Sequence, residues 1–141
     1  MEIHMKRDWD FLRKLLTDIE EERDPFKDLP IEPSWKDQDE DTYKNELEKY
    51  RSIESKLFGH LELLVNSGYI DGLKLTRSTG GGLYYSAANP RLTMAGHDLL
   101  NTMRSSAIWE SIKETAKSKG IELTFDAIKA LGTFVLKAAI G

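Results

Sequence analysis

The chain has 141 residues, 40% of them hydrophobic and 31% charged, with 20 Lys plus Arg against 24 Asp plus Glu and a formal net charge of −4. That length fits one domain at roughly 100–200 residues each, and the lack of cysteine excludes a disulfide framework, thiolate zinc sites, iron–sulfur clusters and a cysteine nucleophile. No run approaches about 18 apolar residues, so no membrane-spanning helix is expected; residues 1–8 run straight into charge without a secretory pattern, and the chain reads as cytosolic.

Trp9, Leu12, Leu16 and Ile19, with Leu15 beside them, form one apolar stripe at helical spacing. They predict a first helix over residues 7–22, with Asp8 and Asp10 in its first turn and Pro25 past its end. Residues 23–42 hold Pro25, Pro30, Pro33 and the acidic run 37–41, and read as an irregular, exposed connector. Phe26, Leu29, Ile31 and Trp35 are expected to pin it to the body.

Helical spacing returns over residues 42–66, through Tyr43, Leu47, Tyr50 and Ile53 and then Leu57, Leu61, Leu64 and Val65. Twenty-five residues is long for one helix of a small domain, so a break is expected near residues 51–55. Asn66-Ser67-Gly68 closes the segment, with Gly68 suited to a left-handed cap. The period then changes. Tyr69-Ile70 leads to a turn at Asp71-Gly72, residues 73–77 alternate as a strand, residues 78–82 form a glycine-rich loop, and residues 83–86 form a second strand. Asn89-Pro90 is expected to end that strand. Thr93 should cap a helix running to Met103, with Met94 and His97 on its apolar positions. A further helix covers residues 106–118, ended by Lys119-Gly120, and a last one follows Thr124 over residues 124–140.

The order is helix, helix, helix, hairpin, then three more helices. It predicts an α+β chain built as a single winged helix–turn–helix domain, with a two-stranded wing and extra C-terminal helices. Four pieces carry a resemblance: Met5-Lys6-Arg7-Asp8-Trp9-Asp10, the stretch from His60 to Ile70, Arg91-Leu92-Thr93-Met94-Ala95-Gly96-His97-Asp98-Leu99-Leu100, and Ile108-Trp109-Glu110-Ser111-Ile112-Lys113. Together the chain resembles a bacterial, prophage-associated, uncharacterised family of small winged-helix-like proteins. The Leu-Thr-x-x-Gly element is similar to the junction after the wing in many winged-helix regulators, where the glycine lets helix and strand approach closely. The resemblance implies a fold and a phage or mobile-element setting, and no catalytic residues.

DNA binding through such a fold needs a polar, basic helix and a basic wing. The outward face of the helix before the wing would show Ser55, Gly59, Glu62 and Asn66, with Lys56 and His60 at its flanks, and the hairpin region supplies Lys74, Arg77 and Arg91. Glu54 and Glu62 would repel phosphates. The first 50 residues carry 9 basic and 16 acidic side chains, the rest 11 and 8, so the cations are sparse for a protein whose affinity would come from phosphate contacts. Two readings follow: a sequence-directed DNA-binding regulator, or a winged helix that serves protein contact.

Other motifs read as ordinary structure. Asp37-x-Asp39-x-Asp41 with Glu48 copies part of a calcium loop, but Thr42 stands where that loop needs glycine. Gly80-Gly81-Gly82 lacks the Lys-Ser/Thr of a phosphate loop. His4, His60 and His97 have no second ligand at convergent spacing. No enzyme activity, metal or cofactor is expected. The last helix is apolar almost all round, and Leu131, Phe134, Val135 and Ala138 are the candidate contact for a homodimer. Its few basic residues argue against a membrane-surface helix.

Overall fold

The computed structural model describes residues 6–35 and 39–140, so His4 and Asp37 lie outside the described residues. Five helices and one antiparallel hairpin follow in the order α1 (Trp9–Glu20), α2 (Glu40–Asn66), β1 (Ile70–Arg77), β2 (Leu83–Leu92), α3 (Met94–Met103), α4 (Ser106–Lys119) and α5 (Phe125–Ile140). One apolar cluster takes residues from all seven elements.

Asp8 caps α1 by accepting the Phe11 N–H at 3.0 Å, and Leu12, Leu15, Leu16 and Ile19 turn inward. After α1 the connector does only part of what its apolar residues suggest. Phe26 and Leu29 pack on the core, but Ile31 is 94% exposed and Trp35 is 70% exposed. The prolines at 30 and 33 oppose regular structure there, and no helix or strand brings the two side chains onto the core.

The expected break at residues 51–55 is absent. α2 runs unbroken for 27 residues, about 40 Å at 1.5 Å per residue. Two helices therefore precede the hairpin among the described residues, not three, and no turn separates the expected pair. The physical reason is that Ser52 and Ser55 are not breakers by themselves, and neither Gly nor Pro occurs between Glu40 and Phe58. Asp39 caps the helix by accepting the Thr42 N–H at 2.8 Å, which gives the acidic run a structural task. Lys44 with Glu40 and Tyr50 with Glu54 bind one turn apart along the exposed half. Only the second half is buried, through Leu57, Phe58, Leu61 and Leu64. Ile53, expected inside, is 45% exposed. At the end, Gly68 takes the left-handed conformation (φ +81°), and Tyr69 N–H reaches back to Leu64 O at 2.8 Å.

Both strands of the hairpin are longer at its base than the sequence suggests, while the tip falls as expected between Arg77 and Leu83. β1 pairs with β2 from Ile70↔Leu92 to Arg77↔Leu83, with a shift between Asp71 and Leu73, where Asp71 faces Arg91 but Leu73 faces Ala87. Asp71-Gly72 is thus not a turn, and Asn89-Pro90 does not end the strand. The two form opposite sides of a bulge. Gly72 sits at φ +79° with Asn89 O and Ala88 O at 2.6 and 2.7 Å from where a Cβ would stand, so the strands meet there only because no side chain intervenes.

Thr93 joins the hairpin to α3. Its hydroxyl accepts the Gly96 N–H at 3.0 Å and donates to Gly68 O at 2.6 Å. Its own N–H donates to Tyr69 O at 3.1 Å. Leu99, Leu100 and Met103 point inward, whereas Met94 is 83% exposed and His97 is exposed. Ser105 caps α4, and Gly120 ends it at φ +68°. Trp109 is fully buried and its indole N–H donates to Asp10 at 2.7 Å. α5 lies on α3 and α4 through Ile128, Leu131, Gly132 and Val135.

Candidate nucleic-acid and protein-contact surfaces

Ser55, Lys56, Gly59 and Arg77 come together with Arg51, Ser52 and Glu62 along a shallow trough of about 760 Å³ on α2. The other expected DNA contacts do not join them. Gly59 borders the trough but is itself buried. His60 is fully buried on the opposite side, because the apolar face of α2 is wider than the Leu57, Leu61, Leu64 stripe alone. Its Nε2 accepts the Asp8 N–H at 2.9 Å and its Nδ1–H donates to Lys56 O at 2.7 Å. That pattern holds the ring neutral and leaves it no group to offer a phosphate.

The cations are similarly occupied. Lys56 bonds Asp8 at 2.8 Å and lies over the Phe11 ring. Arg77 meets both carboxylate oxygens of Glu62 and lies over Phe58. Arg91 bonds Asp71 at 2.8 Å across the hairpin. Of the four expected contact cations, Lys74 alone has no carboxylate partner among the described residues. The Lys56 ammonium, followed by the Phe11 N–H, holds the Asp8 carboxyl below the usual range, and Glu62 raises Arg77 above its own. Exposed pairs of this kind stabilise by roughly 0–1 kcal/mol. Their larger effect is to cancel the field a polyanion would sense.

On α5, Leu131 and Val135 are 7% and 9% exposed and belong to the chain's own core. They are not free to meet a second copy in this packing. Phe134, Leu136 and Ile140 are 53%, 43% and 85% exposed, and Ala138 is exposed as well.

Two polar networks escaped the reading of the sequence. Asp18 is a buried carboxylate held by Lys14, Arg23 and Lys27 at 3.1–3.2 Å. The signal was present: a carboxylate beside Ile19, four residues after Lys14 and followed by two further cations. Glu20 binds Arg104 at 2.7 Å and His97 at 3.3 Å, and these partners lie too far along the chain for spacing to reveal them. His60 and His97 sit in separate networks.

Burial pushes the His60 imidazole below its usual pKa near 6.5, and the Lys56 ammonium adds to this, while Lys56 O and the Asp8 carboxylate pull the other way. A base with a lowered folded pKa contributes its full stability above the unfolded value, and loses it as pH falls below about 6.5 toward the folded value. Denaturant midpoints should therefore fall between about pH 7.5 and about pH 5.5. His60→Gln should remove most of that slope. An equal slope in the variant would show that another group titrates.

Fold and surfaces define an α+β protein whose described residues place five helices around one antiparallel hairpin, with no helix long and apolar enough to cross a membrane. The family model described as "Hypothetical protein (DUF2513)" matches residues 6–122, and the chain belongs to that family. The match spans α1 to α4 and stops short of α5. An uncharacterized protein of Haemophilus influenzae is 28% identical over 138 residues, covering 94% of this chain and 96% of that protein. No solved structure matches.

Proposed function

We propose that the chain acts in regulation by protein contact, without catalysing a reaction. The scaffold is winged-helix-like, in the phage or mobile-element setting that its sequence resemblance implies. The observation that carries this reading is the cancelled charge of the hairpin and α2: Lys56, Arg77 and Arg91 each face a carboxylate of the same chain. Affinity for DNA rises with the number of phosphates neutralised, and Lys74 together with Arg51 of the trough, which have no carboxylate partner among the described residues, supports little. Protein contact needs apolar surface instead, and α5 keeps Phe134, Leu136 and Ile140 outside.

The partner in this reading includes a second copy of the chain, joined through the exposed flanks of α5. Truncating α5 would open the core around Ile112 and Trp109, so point changes test the idea better. Light scattering on the intact chain should give a mass above the monomer at micromolar concentration. Phe134→Glu with Leu136→Glu should return the monomer mass with the fold retained. A monomer from the unmodified chain would overturn self-association.

Weak DNA binding is the second reading, favoured by Lys74 on the hairpin that ends in the turn at Gly80-Gly81-Gly82. A gel shift at two salt concentrations separates the two readings. Binding that weakens steeply with salt, and less steeply after Lys74→Ala and Arg77→Ala, would favour DNA.

A further inference from the structure

A second surface lies away from α2 and α5. A pocket of about 370 Å³ opens between the end of α1 and the bulged part of the hairpin. Ile19, Pro25, Leu73 and Pro90 give it apolar walls, together with Phe26 and Tyr85, whose rings stack at 3.7 Å and 12°. Glu22, Arg23, Asp24 and Asn89 form its polar lining.

Glu22 is the odd residue there. It stands at φ +59°, just past the end of α1, where Arg23 N–H closes the helix on Asp18 O at 2.8 Å. Glycine is the residue this position favours, because a Cβ is strained in the left-handed region. Asn89, at φ +56°, is a residue that tolerates it. A glutamate has no such excuse, and its carboxylate has no partner among the described residues. The nearby cations are all engaged: Arg23 with Asp18 and Glu21, Lys27 with Asp18, Lys14 with Asp18 and Asp28. Asp24 accepts the Phe26 N–H at 2.9 Å and makes no ion pair among the described residues, its neighbour Arg23 being held by Asp18 and Glu21. The lining thus offers an apolar aromatic wall and two uncompensated carboxylates, in the half of the chain that carries the acidic excess.

We propose that this pocket receives an arginine or lysine side chain of a partner protein. The apolar stem lies along Phe26 and Tyr85, and the charged head meets Glu22 and Asp24. Aromatic walls and carboxylates together select a cation carried on hydrocarbon over either a bare cation or a neutral apolar group. The inference rests on the reading of the chain as a protein-contact module. Its test does not depend on self-association, because small probes report on the pocket even in a monomer.

The experiment is an amide-shift titration of the full chain with N-acetyl-arginine amide, N-acetyl-lysine amide, and the neutral N-acetyl-citrulline amide as control. Saturable shifts at Glu22, Phe26, Leu73 and Ala87 are expected near millimolar probe, at least about fivefold weaker for citrulline. Glu22→Gln, which keeps the backbone strain and removes the charge, should weaken the arginine probe about fivefold. Glu22→Gly should do the same while raising Tm by about 2–3 °C. No saturable shift, equal binding of citrulline, or unchanged binding in both variants would overturn the proposal. Spermidine binding more tightly than the capped side chains would overturn the protein source and point to a free amine.

Discussion

Trp109→Ala should lower the unfolding free energy by about 3–5 kcal/mol, the largest loss expected from any single side-chain truncation in this chain. Trp109 is the largest fully buried side chain, in the core that joins α4 to α1, α3 and α5. Two effects contribute, and their sizes differ. Burial of an indole dominates, because truncation leaves a cavity that a packed core refills only in part. The N–H bond to Asp10 at 2.7 Å contributes less, because the Asp10 carboxylate is 65% exposed and water replaces the lost donor. That bond is nonetheless the first cause of the lowered Asp10 pKa, ahead of Lys113. Trp109→Phe separates the two: it keeps most of the apolar volume and should cost well under half as much. For a chain of this size each 1 kcal/mol moves Tm by about 3 °C, so the alanine variant should melt about 10 °C lower. Equal losses in the two variants would make the Asp10 bond the main term.

Gly96→Ala should destabilise by about 3 kcal/mol, although alanine is the better helix former by about 1 kcal/mol. Clash outweighs propensity here. A Cβ at Gly96 would stand 2.1 Å from Tyr69 O and 3.1 Å from Tyr69 C, both backbone atoms. No side chain can swing aside to relieve that contact, so α3 must move away from the start of β1. The move would strain the Thr93 bonds to Gly68 O and Tyr69 O, which seat α3 at that junction. Gly80→Ala is the matched control: its Cβ would meet only Ser78 Oγ at 3.9 Å, and its effect should stay within about 0.5 kcal/mol. A Gly96→Ala variant as stable as the unmodified chain would show that the two elements part without cost.

Local chemistry explains which elements were legible in the sequence. The apolar stripe of α1, the Thr93 cap, the left-handed Gly68 and the stop at Gly120 depend on a few neighbouring residues, and periodicity or a glycine announces each one. The Leu-Thr-x-x-Gly junction was legible for the same reason, since a close approach leaves a glycine behind. Local signals misled where they were weak. Two serines in α2 resembled a break, but without Gly or Pro the helix keeps its hydrogen bonds. Asn89-Pro90 resembled a strand end, but the bulge opposite Gly72 absorbs both residues.

The surfaces depended on contacts that spacing cannot carry. The cations Lys56, Arg77 and Arg91 can be counted in the sequence, but their partners Asp8, Glu62 and Asp71 stand 48, 15 and 20 residues away. Whether such a charge faces solvent or a carboxylate is settled only when the chain closes on itself. The apolar length of α5 was equally plain, but which of its residues pack inside depended on α3 and α4, which took Leu131 and Val135 and left Phe134, Leu136 and Ile140 outside. The sequence by itself determined the α+β class, most of the helix ends and the lack of thiol chemistry, because caps, periods and composition are local properties. Only the tertiary structure decided the continuous α2, the bulged hairpin and the near-neutral face once expected to bind DNA, because each depends on groups that folding brings together from distant parts of the chain.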